Sequence, residues 1–399
     1  MRIAVFLDQS FPPDSRVENE AYQLIKAGHE VHMYSLNFKG LKPAFEEVNG
    51  IQVYREPAGS ILYKSSALAY DFSYFHRRLL KSIKEFIREV KPQAIHIHDM
   101  LIAKPVMDVN EKFFQLPVTL DLHENRPEIM RFYPHLQKQP GKTLISIKRW
   151  VKAQNTLIQR ADKVVMVTPE AIQVAMAETN SEKVKFISLP NTIEKELYLE
   201  YPINDQLVNK YKKGFDILYL GDTGLRRGLE SALKAMRILI QQVPQAQLVV
   251  VGKSTEDHIL KNLVEELGIS AHIHFEGWQD VSLFPSYVAG AEVCISPLKR
   301  NLHHDTTLAN KVFQYMAGAK PILASDCPAQ VAIIEECECG LIHRAEDEQS
   351  MAEKLLEFYK NPTRARQMGE NGKKAILNKY NWQQTARPLI EHYQALASN

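Results

Sequence analysis

Short apolar runs with the composition of buried β-strands alternate with amphipathic helical patterns along most of the chain, and this alternation occurs twice. Such a pattern is typical of parallel sheets that carry helices on both faces. A polar, proline-containing segment at 189–205 separates the two series. The 399 residues are also enough to bury two cores. We therefore predict an α/β protein with two Rossmann-like, doubly wound domains, at 1–190 and 191–380.

In the first domain, strands are predicted at 3–7, 31–35, 51–54, 94–97, 118–120, 164–167 and 184–187, and helices at 15–27, 74–90, 145–160 and 169–177. In the second, strands are predicted at 217–220, 248–251, 273–275, 293–296 and 322–324, helices at 229–242, 256–267 and 307–317, and a mostly helical tail at 351–396. Open α/β sheets bind ligands at the carboxyl ends of their strands. We therefore expect the two domains to face each other across a ligand-binding cleft.

The composition excludes several classes of protein. No run of about 18 apolar residues occurs, so no transmembrane helix is predicted. The first apolar run is too short and too close to charged residues for a signal peptide. The four cysteines form neither a disulfide framework nor a zinc-binding pattern. These features predict a reduced, cytoplasmic protein.

The net charge of +2 is unevenly distributed, because residues 1–190 contain 26 Lys and Arg against 21 Asp and Glu, and the rest contain 23 against 26. The excess is concentrated in two predicted basic helices, 74–91 and 138–152. Nucleic-acid binding would require a more basic domain with interleaved aromatic residues. The two helices either contact anionic lipid at a membrane surface or are solvated amphipathic helices. Both interpretations stay open.

The segment 306–325 has the pattern of a helix with a polar start, a break at Gly318 and a short buried strand. Gly318 is expected to end the helix in a left-handed conformation. Four polar side chains surround the helix start and are expected to lie beside free backbone N–H groups: Thr306, Thr307, Asn310 and Lys311. This is the chemistry of a phosphate-binding site. Taken alone, the segment is also compatible with an ordinary capped helix.

A second set of cations follows the first strand of the second domain, where Gly221 and Thr223 lead into Arg226, Arg227 and Gly228. Arginine suits bidentate contact with phosphate. The chain lacks the dinucleotide fingerprint, the P-loop pattern and any Asp-x-Asp triplet. We therefore expect a bound diphosphate to be neutralised by protein cations rather than by a metal, with Arg227 and Lys311 approaching from two strand–helix junctions.

Polar clusters follow three strands of the first domain. Asp14 and Arg16 come after the first strand. The next two clusters are His96, His98 and Asp99, and then Asp121, His123, Glu124 and Asn125. These residue types could bind a metal, but a histidine facing the core of a strand is more often structural than a ligand. His123 is the strongest functional candidate, followed by Asp99 and Glu124, and no metal site is predicted.

Together these segments resemble family 4 of the retaining glycosyltransferases, which have the GT-B fold, over nearly the whole chain. The matching segments, in order, are FPPDSRVENEAYQLIKAGHEV, AIHIHDM, VTLDLHENRPE, ADKVVMVTPE, LYLGDTGLRRGLESALKAM, LVVVG, FEGW, ISPL, NKVFQYMAGAKPILASD, CGLI and YNW…YQAL. Each segment is weakly specific, and their order and spacing carry the resemblance. The most similar subgroup contains bacterial enzymes that build surface polysaccharide, lipopolysaccharide or other glycoconjugates.

The resemblance implies a UDP- or GDP-linked sugar donor in the second domain and a glycan, lipid-linked or small-molecule acceptor in the first, with neither a metal nor another cofactor. It places Arg227 where relatives carry a lysine and Lys311 in an Asn-Lys segment, both contacting the diphosphate. It places His123 near the donor sugar, with its backbone carbonyl and imidazole close to the reacting carbon. The final helix, 381–399, is implied to return to the first domain.

The chain departs from the family at two positions. Relatives often carry two glutamates, one for the sugar hydroxyls and one for the ribose, where this chain has Thr306 and Gln314. Gln314 could still bind ribose hydroxyls. The departures keep three alternatives open: a non-catalytic sugar-nucleotide-binding protein, a sugar-nucleotide epimerase of the same shape, and a membrane-surface scaffold.

Overall fold

The computed structural model describes residues 1–38, 40, 42–212 and 214–398. The chain forms two compact units. The first contains Met1–Pro190 and the segment that begins at Thr385, and the second is Asn191–Gln384. The return to the first unit therefore begins four residues after the expected position, 381.

The first unit contains an eight-stranded sheet with the order β3-β4-β2-β1-β5-β6-β7-β8, parallel except for β3. Its strands are β1 Arg2–Phe6, β2 Glu30–Asn37, β3 Phe45–Val48, β4 Ile51–Pro57, β5 Ala94–His98, β6 Val118–Leu122, β7 Lys163–Met166 and β8 Phe186–Ser188. Its helices are α1 Ser15–Lys26, α2 Ser60–Ser66, α3 Tyr74–Val90, α4 Met100–Phe113, α5 Arg126–Met130, α6 Pro134–Gln137, α7 Gly141–Leu144, α8 Ile147–Arg160 and α9 Pro169–Thr179.

The second unit contains a six-stranded parallel sheet with the order β11-β10-β9-β12-β13-β14. Its strands are β9 Phe215–Leu220, β10 Ala246–Val251, β11 Ile273–Gly277, β12 Val293–Ser296, β13 Ile322–Ser325 and β14 Gly340–His343. Its helices are α10 Lys195–Glu200, α11 Asp205–Tyr211, α12 Leu229–Leu239, α13 Asp257–Leu267, α14 Phe284–Gly290, α15 Leu302–Asp305, α16 Asn310–Ala317, α17 Pro328–Glu336, α18 Glu348–Lys360, α19 Pro362–Asn378 and α20 Trp382–Thr385.

The last helix, α21 Arg387–Ser398, belongs to the first unit. Tyr393 is fully buried, and its hydroxyl lies 2.8 Å from Nδ1 of His96 on β5. His392 bonds the Thr119 hydroxyl of β6 at 3.0 Å. The end of the chain therefore contacts the same strands that carry the predicted polar clusters.

The prediction of two doubly wound α/β domains is confirmed, because central strands such as β5, β6 and β9 are buried along their whole length, as expected when helices cover both faces. Within the described part of the chain, no helix is both long and apolar enough to cross a membrane. The basic segment 138–152 is not one helix, since α7 ends at Leu144 and Ser146 caps a new helix, α8.

The prediction for Gly318 was wrong. Its φ is −80°, and the left-handed residue is Ala319, with a φ of 55°. A Cβ on Gly318 would lie 2.2 Å from Cγ1 of Val288 on α14. Glycine is therefore required here for close packing between two helices and not for the backbone turn.

Candidate functional site

The carboxyl end of β9 forms the base of a cationic site in the second unit. Gly221 follows the strand directly and has a φ of +109°, a conformation that glycine adopts without strain. A Cβ at Gly221 would lie 3.6 Å from Nζ of Lys311, so the lysine head group rests against the bare backbone of the turn. The Tyr219 ring supports the same ammonium group, with its centroid 3.4 Å from Nζ.

Lys311 is only 7% exposed, and its Nζ has no hydrogen-bond partner among the described residues. Burial, reinforced by the charge of Arg227, lowers the pKa of Lys311 well below its usual 10.5. A buried ammonium without a partner is costly. The arrangement therefore favours an anion as the missing partner.

Two arginines lie at the same turn. The Arg227 side chain is 22% exposed, and its Nε lies 3.3 Å from a carboxylate oxygen of Asp222. Arg226 contacts the same carboxylate at 3.5 Å. Gly228 follows with a φ of +79°, and a Cβ there would lie 1.8 Å from the Pro297 carbonyl oxygen. The arginine turn is thus held tightly against the end of β12.

The structure places the other predicted donor-side residues less directly. Helix α16 begins at Asn310, three residues later than predicted, and Asn310 is exposed. The hydroxyls of Thr306 and Thr307 donate to carbonyls of α15, at 2.7 Å to Leu302 and 2.8 Å to His303. Both hydroxyls therefore support the loop and do not donate to a ligand.

Thr223 is fully buried, and its hydroxyl donates to the carboxylate of Asp257 on α13. It therefore anchors the β9 turn. Gln314 is half-buried on α16.

Sequence reasoning missed two histidines on α15. His303 and His304 are buried, and each has one ring nitrogen without a hydrogen-bond partner among the described residues. Burial and the neighbouring cations Arg226 and Arg227 lower the pKa of His303 to about 3 and of His304 to about 4. Both rings are therefore neutral near the two arginines. The sequence pattern contains no signal that would have identified them, since they stand in a loop of no recognisable motif.

In the first unit, a buried ion-pair cluster connects α1 with the carboxyl end of β6. Arg16 donates to both carboxylate oxygens of Asp121, at 3.0 and 3.1 Å, and to the Leu189 carbonyl at 3.0 Å. Its Nε lies 2.9 Å from Glu20, one helical turn along α1. Although burial opposes ionisation, Arg16 and His123 hold the pKa of Asp121 well below 3.8. Burial and the charge of Asp121 raise the pKa of Glu20 well above its usual 4.5.

His123 is held at both ring nitrogens. Its Nδ1 lies 3.5 Å from Asp99, and its Nε2 lies 2.9 Å from Nδ1 of His98 and 3.4 Å from Asp121. Burial would favour the neutral ring, but Asp99 and Asp121 outweigh it and raise the pKa of His123 to about 9. Burial and His96 lower the pKa of His98 to about 3, so His98 accepts the Nε2 proton. His123 is therefore an imidazolium whose N–H groups are both engaged.

The remaining predicted residues of the first unit have different positions. Asp14 caps α1, accepting from the backbone N–H of Val17 at 3.1 Å, and Arg16 is almost completely buried in its ion pairs. These contacts account for both residues structurally. Asp99 has a φ of 62° and stays at the end of β5 beside His123. Glu124 is half-buried, 3.9 Å from Arg126.

Four side chains of this cluster, Glu20, His98, Asp121 and His123, offer possible metal ligands within 4.8 Å of one another. Arg16 already engages both oxygens of Asp121, and a proton between His98 and His123 accounts for their 2.9 Å separation. The contacts are thus explained by charge and protons alone.

Glu20, Asp8, Arg126 and Tyr393 also belong to the cluster and were not singled out from the sequence. The Arg16–Glu20 spacing of four residues on a predicted helix was a usable signal. Asp8 follows β1, and burial together with Asp99 raises its pKa to about 7. Tyr393 approaches from the end of the chain, a contact that no local pattern encodes.

The charge state of His123 predicts a pH-dependent stability. Its folded pKa of about 9 exceeds the unfolded value of 6.5, so its contribution is complete below pH 6.5 and is lost as the pH rises through 9. This corresponds to about 3 kcal/mol. Urea unfolding at several pH values should show this loss in the difference between the wild-type protein and His123→Gln. Comparing the two proteins cancels the titration of other groups, and parallel curves would contradict the assignment.

Two family models cover most of the chain. "Glycosyltransferase Family 4" matches residues 15–196, and "Glycosyl transferases group 1" matches residues 202–375. Among curated proteins, EpsD from Bacillus subtilis, which is named only provisionally as a glycosyltransferase, is 25% identical over 45% of this chain. The chain spans about half the length of the first relatives that it matches, 45% in the case of EpsD. A phosphatidyl-myo-inositol mannosyltransferase from Mycolicibacterium smegmatis is 22% identical over all of this chain and 94% of its own.

Solved structures share the fold. Sucrose-phosphate synthase from Thermosynechococcus elongatus superposes with a TM-score of 0.80 at 18% identity, over 100% of this chain and 99% of its own. Anabaena HepE, solved in complex with UDP-glucose, gives a TM-score of 0.71 at 10% identity, over 99% of this chain and 100% of its own. Taken with the two doubly wound units, these matches show that the chain belongs to glycosyltransferase family 4 and has the GT-B fold.

Proposed function

We propose that the protein transfers a sugar from a nucleoside-diphosphate sugar, UDP- or GDP-linked, to a glycan, lipid-linked or small-molecule acceptor, with retention and without a metal ion. The observation that carries this proposal is the buried ammonium of Lys311, which lies without a partner against the backbone of Gly221. Arg227 adds a second cation at the same turn. A diphosphate supplies the negative charge that both cations lack.

The chemistry follows from the charge that develops on the leaving group. When the bond between the sugar and the diphosphate breaks, negative charge accumulates on the diphosphate oxygens. Cations already held in place stabilise that charge without rearranging. The leaving oxygen can then accept the proton of the acceptor hydroxyl, which attacks from the same face of the sugar. No carboxylate nucleophile is required for this route. The neutral rings of His303 and His304 would add hydrogen-bonding capacity near Arg226 and Arg227.

On the acceptor side we assign the carboxyl ends of β5 and β6, with Asp99 and Glu124. His123 would act through its fixed position and its main-chain carbonyl, because both of its ring N–H groups are engaged by Asp99 and His98. This differs from a role as a general base, for which the ring would need a free nitrogen.

Incubation with UDP-glucose and GDP-mannose, among other nucleotide sugars, tests the function. These two donors come first because HepE binds UDP-glucose and one relative is a mannosyltransferase. We expect a thermal shift with the correct donor, and nucleoside diphosphate release that requires an acceptor. Conversion of the sugar nucleotide without an acceptor would instead support the epimerase alternative. Donor binding with neither release nor conversion would support the non-catalytic one.

We also propose peripheral contact with the cytoplasmic face of a membrane. Of the two predicted basic regions, 138–152 is the better candidate, because α3 uses part of its charge internally, with Lys84 over the ring of Phe113 and Lys81 near Glu85. Several large apolar side chains of the first unit are highly exposed: Ile61, Tyr63, Phe72, Tyr74 and Leu144. Basic and exposed apolar residues together suit an anionic bilayer surface. Flotation with anionic vesicles tests the contact, and equal recovery with neutral vesicles would contradict it.

A further inference from the structure

A groove in the first unit has an unusual concentration of positive charge. It lies beside α8, has a volume of about 560 Å³ and is lined by three cations and three polar side chains: Arg131, Lys148, Lys152, Asn155, Thr156 and Gln159. Val151 completes the lining, so no carboxylate lies among these residues. The sequence itself contains no Asp or Glu from 129 to 161, a segment with seven Lys and Arg. The groove therefore lacks a negative charge of its own.

The lysines of the groove are unpaired and unfavourably placed on the helix. Lys148 and Lys152 have no ion-pair partner within the described ranges of the chain, whereas Arg131 pairs with Glu128 at 2.9 Å. The two lysines are four residues apart on α8, a spacing at which like charges repel. Lys148 also lies in the first turn, which contains no acidic residue and where the helix dipole disfavours cations. A bound anion would offset these costs.

The polar neighbours leave the lysines as the main donors. Thr156 donates its hydroxyl proton to the Lys152 carbonyl at 2.9 Å, and Gln159 donates to the Thr179 carbonyl at 3.1 Å. The groove contains no aromatic residue that could stack on a nucleobase. A compact anion such as a phosphoryl group fits this donor set better than a nucleic acid does.

The groove is connected to the polar cluster at the end of β6 through α5. This short helix begins at Arg126, which is close enough to Asp8 and Asp99 for their charges to raise its pKa, and it packs against α8. Arg131 immediately follows α5, and the next residue, Phe132, is an exposed apolar side chain. The groove therefore lies along the element that leads away from His123 and Asp99.

We propose that this groove binds a phosphoryl group of the acceptor, so that the acceptor is a phosphate- or diphosphate-bearing molecule. The proposal rests on the glycosyltransferase function proposed above and specifies its acceptor class. The phosphoryl group could belong to a lipid anchor or to a soluble sugar phosphate. The two sources share the chemistry that the lysines recognise.

Pyrophosphate binding tests the groove without requiring sugar transfer. Because pyrophosphate would also bind at Lys311, the titration is made by calorimetry at low ionic strength in a Lys311→Met background. Adding Lys148→Gln and Lys152→Gln should weaken binding at least tenfold, since two charge-assisted contacts are lost. The matched control is Lys373→Gln with Lys374→Gln, an equal charge change at two exposed lysines of α19. The control should change affinity less than twofold.

Farnesyl diphosphate and glucose 6-phosphate separate the two sources. Tighter binding of farnesyl diphosphate than of pyrophosphate indicates a lipid-linked acceptor, and a preference for glucose 6-phosphate indicates a soluble one, provided that both effects disappear in the groove variant. Equal pyrophosphate affinity in the groove and control variants, or no pyrophosphate binding in the background protein, would overturn the proposal. Failure of the proposed transferase function would appear separately, as absence of transfer in a protein that still binds pyrophosphate.

Discussion

Replacing Lys311 with methionine is expected to reduce sugar transfer by about 100-fold or more, the usual effect of removing one preorganised stabiliser of developing charge. Methionine fills a similar volume, so the substitution removes the charge without opening a large cavity. The folded protein should be as stable as the wild type or more stable, because an unpartnered buried ammonium is eliminated. Loss of activity without loss of stability distinguishes a functional lysine from a structural one.

Lys320→Met is the matched control for this experiment. Lys320 lies in the same unit, and burial also lowers its pKa, but its ammonium donates to the Ala289 carbonyl at 3.0 Å. Its replacement should cost stability and leave the rate per folded molecule near that of the wild type. Transfer is measured as nucleoside diphosphate release with the donor identified by thermal shift. Normal release by Lys311→Met would remove Lys311 from the proposed mechanism.

The same lysine gives a second, independent signal. An incoming diphosphate opposes both causes of its lowered pKa, burial without a partner and the charge of Arg227, so binding should raise that pKa. Between the two values, binding takes up protons. Calorimetric titration of a nucleoside diphosphate in buffers of different ionisation enthalpy should detect this uptake. In Lys311→Met the dependence on buffer should be smaller.

The sequence predicted the central parallel strands well, because they are buried on both faces and read as continuous apolar runs. It predicted α4 poorly. Nine of the fourteen residues of that helix are buried and Pro105 lies inside it, so neither helical periodicity nor helix propensity marks it. The edge strand β3 was also missed, since its residues alternate between exposed and half-buried and include two glutamates. Elements without a contrast between two faces give little sequence signal.

The candidate sites show a similar division. The order of the strands brought Lys311 and Arg227 to neighbouring turns of one sheet, as strand-end logic predicts. The choice among polar residues could not be made this way, because it depends on which hydroxyls and carboxylates are already engaged. Thr306 and Thr223 have the chemistry of ligand contacts, yet each donates to its own loop or to a neighbouring helix. Tyr393 reaches His96 from nearly 300 residues away, at a separation of 297. Only tertiary structure provides such information.

The second large effect is expected from Asp121→Asn, which should lower the free energy of unfolding by about 3–5 kcal/mol, the cost of leaving a buried charge without its partner. Asp121 is fully buried and accepts both hydrogen bonds of Arg16. Urea unfolding measures the change. The control is Asp108→Asn, the same substitution in a more exposed ion pair with Arg160, where a loss below about 1 kcal/mol is expected.

The pH dependence and a double-mutant cycle identify the origin of this effect. Because the folded pKa of Asp121 lies well below 3.8, its contribution to stability is present above the unfolded value and is lost as the pH falls through the folded one. Asp121→Asn should therefore flatten the acid branch of the stability profile. Adding Arg16→Gln to Asp121→Asn should cost much less than the sum of the two single changes, since the stranded guanidinium is then removed. Additive losses would mean that the two side chains act independently, and the cluster would not be the unit that positions His123.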